Sequence, residues 1–187
     1  GTAIGLSPVR AGLSEHTSEQ QNLSDVTEKT YDTKQDSTYE KRPHVLLIGD
    51  SISIGYTSEV KKRLHEIAHV KSIDGNAAST VNGLRKIDSW LIGKSFDIIH
   101  FNWGLHDLKY LGPDGENLTD PKDPKNHQQV PPKEYEKNLR QLVSQLKKTN
   151  AILIWRNTTP VPAGSKGRVE GDAATYNDIA KKVMAEH

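Results

Sequence analysis

The motif Gly49-Asp50-Ser51 is the first place where the residue types could support covalent catalysis. It follows a short apolar run at positions 44–48 and precedes apolar residues at helical spacing. A serine at a turn from a strand into a helix can project its hydroxyl into a cleft, and the first helical turn leaves backbone N–H groups unpaired. A nucleophilic serine needs both features, because it must reach a carbonyl and the resulting oxyanion must be stabilised. Two alternatives stay open here: Asp50 or Ser51 caps the helix, or the turn binds an anion.

A second polar cluster follows another apolar run, at positions 97–101. Asn102, His106 and Asp107 lie within six residues of one another, beside a tryptophan and a glycine. A histidine next to an aspartate can act as an acid, a base or a hydrogen-bond donor to an oxyanion. The alternative is a histidine that hydrogen bonds tie into its loop.

A rival motif, His65-Glu66-Ile67-Ala68-His69, matches the zinc-protease pattern His-Glu-x-x-His. Two histidines four residues apart on a helix can share a metal, with the glutamate as base. The cations at 61–63 oppose the binding of a dication, and no third ligand appears at the expected spacing. We therefore expect no metal and no other cofactor, and a zinc metalloprotease is a minor alternative.

The elements that would position these residues alternate between strands and helices. Apolar runs predict strands at 44–48, 70–73, 97–102 and 151–155, and helical spacing of apolar residues predicts a helix after each. This alternation implies parallel pairing through right-handed crossovers, with helices on both faces of the sheet. Ligands of such folds bind at the carboxyl ends of the strands, which is where Ser51 and His106 are expected.

Composition excludes several other functions. The 187 residues suffice for one domain, and 25 Lys and Arg against 24 Asp and Glu give a net charge of +1, which provides no global attraction to nucleic acid or anionic membranes. The chain has no cysteine, so thiolate metal sites and cysteine nucleophiles are excluded. No apolar run approaches the roughly 20 residues of a membrane span.

The apolar residues are distributed unevenly along the chain. Hydrophobic residues make up 34% of it, and positions 1–42 are rich in Ser, Thr, Gln and Glu without periodicity. We expect 1–42 to be a disordered or extended tail, or alternatively a docking segment, and 43–187 to be the α/β domain.

Three stretches resemble sequence blocks of the SGNH hydrolase superfamily, also called GDSL-type lipases and esterases. Residues 45–56 resemble the first block, residues 75–84 are similar to the second, and Gly104-Leu105-His106-Asp107 lies where the third usually reads Gly-x-Asn-Asp. The resemblance implies a three-layer α/β/α sandwich with a parallel, flavodoxin-like sheet. It also implies a serine esterase that acts through an acyl-serine intermediate, with Ser51 as nucleophile.

The resemblance implies roles for further residues. The oxyanion hole would use the backbone N–H groups of Ser51 and Ala78 and the side chain of His106 or Asn102. The supporting residues would be Gly49, Asp50, Gly104 and Asp107. Two positions depart from the family: Ala78 replaces a glycine, and His106 replaces an asparagine. A positive φ at Ala78 would cost an alanine more than a glycine.

A third departure concerns the catalytic base. In the family it comes from an Asp-x-x-His block near the C-terminus, whereas this sequence ends Met184-Ala185-Glu186-His187. We expect the last strand and the base to be missing, and the chain as it stands to be weakly active or inactive. His106 as a replacement base is one alternative, and closure of the triad by His187 is another.

The expected substrate is a small-molecule or carbohydrate ester with a short acyl group, such as acetyl. The polar loops at 112–132 and 157–172 are expected to border the cleft, and Lys166 and Arg168, with Arg156, could contact a polar or anionic substrate. The alternatives are a catalytically inactive relative that binds a glycan or a partner, and acyl transfer to an alcohol. The oligomeric state is not predicted.

Overall fold

A computed structural model describes residues 42–187. The predicted N-terminal tail therefore lies outside the described residues, apart from Arg42. In chain order the elements are β1 (His44–Ile48), α1 (Ser51–Leu64), β2 (His69–Ser72), α2 (Thr80–Leu91), β3 (Ile98–Phe101), β4 (Tyr110–Leu111), β5 (His127–Gln128), α3 (Pro132–Lys147), β6 (Ile152–Trp155) and α4 (Asp172–Ala185). None of these helices is both long enough and apolar enough to cross a membrane.

The main sheet has four parallel strands in the order β2-β1-β3-β6. In its register Leu47 lies between Ser72 and His100, and Phe101 lies opposite Trp155. This arrangement confirms the predicted parallel α/β sheet. It places the carboxyl ends of β1 and β3 side by side.

Alternation along β1 divides the core between the two faces of the sheet. Val45 and Leu47 join a small cluster with side chains of α1 and β2. Leu46 and Ile48 face the larger cluster, which contains the buried sides of α2, α3 and α4. Because successive strand residues point to opposite faces, a continuous apolar run buries both sides of the strand.

Backbone hydrogen bonds bring three turns together at the carboxyl edge of the sheet. The Asn102 N–H donates to Ile48 O at 3.1 Å, and the Ala77 N–H donates to Gly49 O at 2.9 Å. The turn after β1, the turn before α2 and the turn after β3 are therefore in contact. These are the three stretches that carry the candidate site residues.

The segment at 112–132, predicted to be a loop, is more ordered than its composition suggested. Its flanks pair as a two-stranded antiparallel ribbon, β4 with β5. Tyr110 lies opposite Gln128 and Leu111 opposite His127. The ribbon begins three residues after Asp107, so it extends the third turn outward from the sheet edge.

Candidate active site

Ser51 is the first residue of α1, and its side chain is exposed. Asp50 is the N-cap, and its carboxylate accepts a hydrogen bond from the Ile52 N–H at 2.9 Å. Helix capping is therefore done by Asp50 alone. Within residues 42–187, neither the Ser51 hydroxyl nor its N–H has a hydrogen-bond partner, so both are available to a ligand.

Gly49 allows the abrupt turn from β1 into α1. A Cβ atom at this position would lie 2.6 Å from the Cβ of Ser53, closer than side-chain atoms can approach. Ser53 is buried on the inner side of the first helical turn. The glycine thus lets α1 start immediately after the strand and leaves Ser51 at the sheet edge.

Ala78 lies in the turn before α2 with a φ of 51°. Its N–H donates to the Oδ1 of Asn76 at 2.7 Å. The amide that was predicted to stabilise an oxyanion is therefore occupied by a side chain in this structure. An oxyanion would have to take the place of the Asn76 oxygen.

His106 lies half-buried in the turn after β3. Burial lowers the pKa of its imidazole, the charges of Lys109 and Arg168 lower it further, and the charge of Asp50 opposes them. The ring has no hydrogen-bond partner among the residues that the structure describes. The ring is therefore neutral near pH 7, with one donor and one acceptor nitrogen, and it lies within electrostatic range of Asp50, the residue before Ser51.

Asn102, the rival donor, has its side chain directed elsewhere. It is 1% exposed, and its Nδ2 donates to Arg156 O at 2.6 Å and more weakly to Trp103 O at 3.5 Å. These bonds tie the end of β3 to the end of β6. The structure does not bring this amide to the exposed side of Ser51, so His106 is the better placed of the two donors.

Asp107 is fully buried and connects two of the turns. Its Oδ1 accepts hydrogen bonds from the Thr80 N–H at 2.8 Å and the Thr80 hydroxyl at 2.5 Å, whereas its Oδ2 has no partner. Burial raises the pKa of Asp107 to about 7, although the bonds from Thr80 oppose the shift. The aspartate is buried beneath the surface of the cleft, where it joins the turn after β3 to the start of α2.

Gly104 holds the turn after β3 in a backbone conformation that side chains rarely adopt. Its φ is 141°, and an added Cβ would lie 3.0 Å from the Cβ of Thr158. The glycine therefore lets this turn pack against the segment after β6. It also fixes the direction in which His106 leaves the sheet.

His187 lies near the amino end of β6, away from the carboxyl ends of the strands. Its carbonyl oxygen accepts a hydrogen bond from the Nζ of Lys147, the last residue of α3. The end of α3 leads into the amino end of β6, whereas Ser51 lies at the carboxyl edge. His187 is thus not positioned to close a triad with Ser51.

The His-Glu-x-x-His motif does not form a helical metal site. The helix α1 ends at Leu64 with His65 as its C-cap, and His69 already belongs to β2. His65 instead contacts Glu66, with Nε2 2.5 Å from Oε1. In residues 42–187 no group of three or more His, Asp or Glu side chains could hold a metal ion, so the metalloprotease alternative is not supported.

Sequence reasoning missed two residues at this edge, Thr80 and Lys109. Thr80 was hidden because its partner Asp107 is 27 positions away. Lys109 gave a usable signal, a cation three residues after the candidate histidine in the same short turn. Arg168, which was expected only somewhere near the cleft, donates from Nε to Leu105 O at 3.2 Å.

The sequence matches no protein-family model and no curated protein. The structure resembles the acetyl xylan esterase AlAXEase with a TM-score of 0.57 and 14% identity over 76% of this chain and 73% of the other. It also resembles a GDSL-like lipase from Bacteroides thetaiotaomicron, with a TM-score of 0.56 and 11% identity over 79% and 64% of the two chains. An acetylxylan esterase from Geobacillus stearothermophilus gives a TM-score of 0.57 and 15% identity over 77% and 72%. At these identities the likeness shows a shared fold.

Proposed function

The chain has the fold of the SGNH hydrolases, and from this premise we propose that residues 43–187 form a serine ester hydrolase domain that works through an acyl-serine intermediate. The observation that carries the proposal is the state of Ser51. Its hydroxyl is exposed at the first position of α1 and is not used as a helix cap, since Asp50 caps the helix. Its N–H has no partner among residues 42–187.

In the proposed reaction the Ser51 oxygen attacks the ester carbonyl. The oxyanion that forms accepts hydrogen bonds from the Ser51 N–H and from His106, and from the Ala78 N–H once Asn76 has been displaced. Such donors stabilise charge that develops only in the transition state, and removal of one typically costs about 10²–10³ in rate. Expulsion of the alcohol leaves an acyl-serine, which water then hydrolyses.

The proton of the Ser51 hydroxyl must pass to a base as the new bond forms. The neutral imidazole of His106 has an acceptor nitrogen as well as a donor nitrogen, and it lies within electrostatic range of Asp50. We assign His106 the donor role, in which case water takes the Ser51 proton and the departing alkoxide is protonated from solvent. In the alternative role within residues 42–187, His106 accepts the proton as base and returns it to the alcohol. The two roles can be distinguished with an asparagine at position 106, because an amide can donate a hydrogen bond to an oxyanion but cannot act as a base.

The proposed substrate class is a short-chain ester, in particular an acetyl ester of a carbohydrate. Two of the structurally similar proteins are described as acetyl xylan esterases. The turn around His106 and the adjoining ribbon carry half-buried polar side chains. Such a rim suits a hydroxyl-rich alcohol better than a long acyl chain.

The test is hydrolysis of 4-nitrophenyl acetate by the wild type, by Ser51→Ala and by the control variant Ser58→Ala, which changes an exposed serine further along α1. We expect Ser51→Ala to abolish turnover and Ser58→Ala to retain it. A fluorophosphonate probe should label Ser51, as identified by peptide mass spectrometry. Undiminished turnover by Ser51→Ala would show that the nucleophile is wrongly assigned.

A further inference from the structure

Two cations, Lys109 and Arg168, border the candidate active site on the side of His106. Lys109 follows His106 by three residues in the turn that leads into β4. Arg168 comes from the long segment between β6 and α4, and its Nε donates to Leu105 O at 3.2 Å. Tyr110, which follows Lys109, donates its N–H to the O of Gly167, which precedes Arg168, so the two cations come from adjoining backbone segments. Both charges lie within electrostatic range of the His106 imidazole.

The segment that carries Arg168 is fixed against the rest of the domain. The Tyr110 N–H donates to Gly167 O at 2.8 Å. Gly167 has a φ of 63°, and a Cβ atom there would lie 2.2 Å from the Cα of Leu118. Backbone packing on both sides therefore holds Arg168 in place, which reduces the entropy lost when its guanidinium binds a ligand.

Among the residues that the structure describes, neither cation forms an ion pair with a carboxylate. The ion pairs found within residues 42–187 involve other side chains. Asp50 attracts Arg168 from beyond ion-pair distance, and its carboxylate already caps α1. Burial lowers the pKa of Lys109 and repulsion from the charge of Arg168 lowers it further, whereas the charge of Asp107 opposes the shift. A bound anion would relieve this repulsion.

Positive charge continues beyond Arg168 into a neighbouring cavity of about 630 Å³. It lies between the segments at 118–122 and 164–169, and its charged lining residues besides Arg168 are Lys122, Lys166 and Asp120. The cations thus outnumber the single carboxylate along this path. An elongated ligand that extends from the cleft past Arg168 into this cavity would therefore lie in a region of positive potential.

We infer that Lys109 and Arg168 form a subsite for an anionic group of the substrate, so that the enzyme selects esters of acidic carbohydrates over neutral ones. The inference rests on the proposed function, because it assigns the substrate class of the same site. A carboxylate or a sulfate fits the shared chemistry, since Arg168 has guanidinium N–H groups left after its bond to Leu105 and Lys109 adds a point charge. The substrates of the test separate these two anions.

The experiment compares three acetyl esters on one sugar scaffold: methyl mono-O-acetyl-glucoside, the corresponding glucuronoside and the corresponding 6-sulfate. Release of acetate gives kcat/KM for each. We expect at least a tenfold preference for one or both anionic esters at low salt, declining as the ionic strength rises. Equal rates on the neutral and anionic esters would overturn the inference and leave the proposed function intact.

Variants locate the subsite. Arg168→Gln and Lys109→Gln should each reduce the preference at least fivefold, mainly through KM, whereas Arg168→Lys should retain most of it because the charge remains. Arg85→Gln, an exposed cation on α2, is the matched control and should leave the preference unchanged. A preference that survives both glutamine variants, with folding verified by thermal unfolding, would also overturn the inference.

Failure of the proposed function has a different signature. If no ester is cleaved, the subsite is tested by calorimetric titration of the wild type and Arg168→Gln with methyl glucuronoside, methyl glucoside 6-sulfate and methyl glucoside. Binding of one or both anionic sugars but not of the neutral one, lost in Arg168→Gln, would support the subsite without catalysis. Absence of binding by both anionic sugars, or equal binding of the anionic and neutral sugars, would reject it.

Discussion

The carboxylate of Asp107 holds Thr80 by two hydrogen bonds, from its N–H at 2.8 Å and from its hydroxyl at 2.5 Å. Thr80 is the first residue of α2 and follows the turn that contains Ala78. Asp107 directly follows His106. One buried side chain thus couples the two turns that would supply donors to an oxyanion, while the hydroxyl of Thr80 in turn accepts from Asn138 of α3 at 3.3 Å.

The burial of Asp107 predicts an unusual dependence of stability on pH. The pKa of Asp107 is about 7 in the folded protein against 3.8 for the free side chain. Between these pH values the folded state keeps the Asp107 proton that the unfolded state has lost. Protonation of Asp107 therefore stabilises the fold fully below pH 4, and this contribution is lost as the pH rises through 7. The free energy of unfolding in urea should therefore decrease by a few kcal/mol over this range.

Asp107→Asn isolates this contribution. An asparagine oxygen can still accept from Thr80, and an uncharged side chain has no proton to lose. The difference in unfolding free energy between the variant and the wild type should shift in favour of the variant as the pH rises from 4 to 7 and then stay constant. A difference that does not change with pH would contradict the raised pKa of Asp107.

The left-handed backbone of Ala78 predicts that a glycine there is stabilising. With a φ of 51° the alanine bears a cost of about 1–2 kcal/mol that glycine avoids. Glycine has greater freedom in the unfolded chain, which offsets roughly 0.5–1 kcal/mol. Ala78→Gly should therefore raise the free energy of unfolding by about 0.5–1 kcal/mol, measured by urea denaturation.

Ala77→Gly is the matched control for this prediction. Its side chain is fully buried, and its φ is not positive. Removal of that methyl group from the core should destabilise the protein by about 1 kcal/mol. If both variants, or neither, had a higher free energy of unfolding than the wild type, backbone strain at Ala78 would not explain the result.

The fold was predictable because its strongest signals are local. The apolar runs of β1 and β6 are continuous, and Gly49 marks the end of the first strand, so the element types follow from the sequence. The parallel pairing of the strands was also predicted, since strands that alternate with helices are joined by crossovers. The short ribbon β4–β5 was not, because two-residue strands lack any periodicity.

The candidate site was predictable only in part, because its details depend on contacts between distant residues. Ser51 could be singled out from its own turn, whereas the engagement of Asn102 with Arg156 spans 54 positions. The bond from the Ala78 N–H to Asn76 spans only two positions, so it had a local signal, an asparagine that can form an Asx turn. The contacts of Asn102 and Asp107, in contrast, are properties of the tertiary structure.

The hydrogen bond from the Ala78 N–H to Asn76 predicts that Asn76 restrains catalysis. An oxyanion must compete with this acceptor, which lies 2.7 Å from the amide nitrogen. A hydrogen bond is worth about 1 kcal/mol net, so Asn76→Ala should raise kcat for 4-nitrophenyl acetate by about fivefold. Asn82→Ala provides the comparison, because it loosens the same turn through Ala77 O without freeing the N–H. Equal effects of the two variants would show that Asn76 has only a structural role.

The two roles open to His106 predict opposite behaviour of His106→Asn. An asparagine can donate to an oxyanion but cannot accept a proton at neutral pH. If His106 is the donor, as proposed, the variant should keep kcat/KM within about tenfold of the wild type, whereas His106→Ala should lose about 10²–10³. Similar losses in both variants, of about 10⁴ or more, would instead identify His106 as the base.

The pH profile gives an independent test of the same assignment. The pKa of His106 lies below 6.5, because burial and the charges of Lys109 and Arg168 outweigh the opposing charge of Asp50. A protonated imidazole still donates hydrogen bonds but can no longer accept a proton. The ratio of wild-type to His106→Asn kcat/KM should therefore stay constant or rise as the pH falls from 8 to 5. A base at this position would make the ratio fall over the same interval, since acidification then removes the reactive form of the wild type alone.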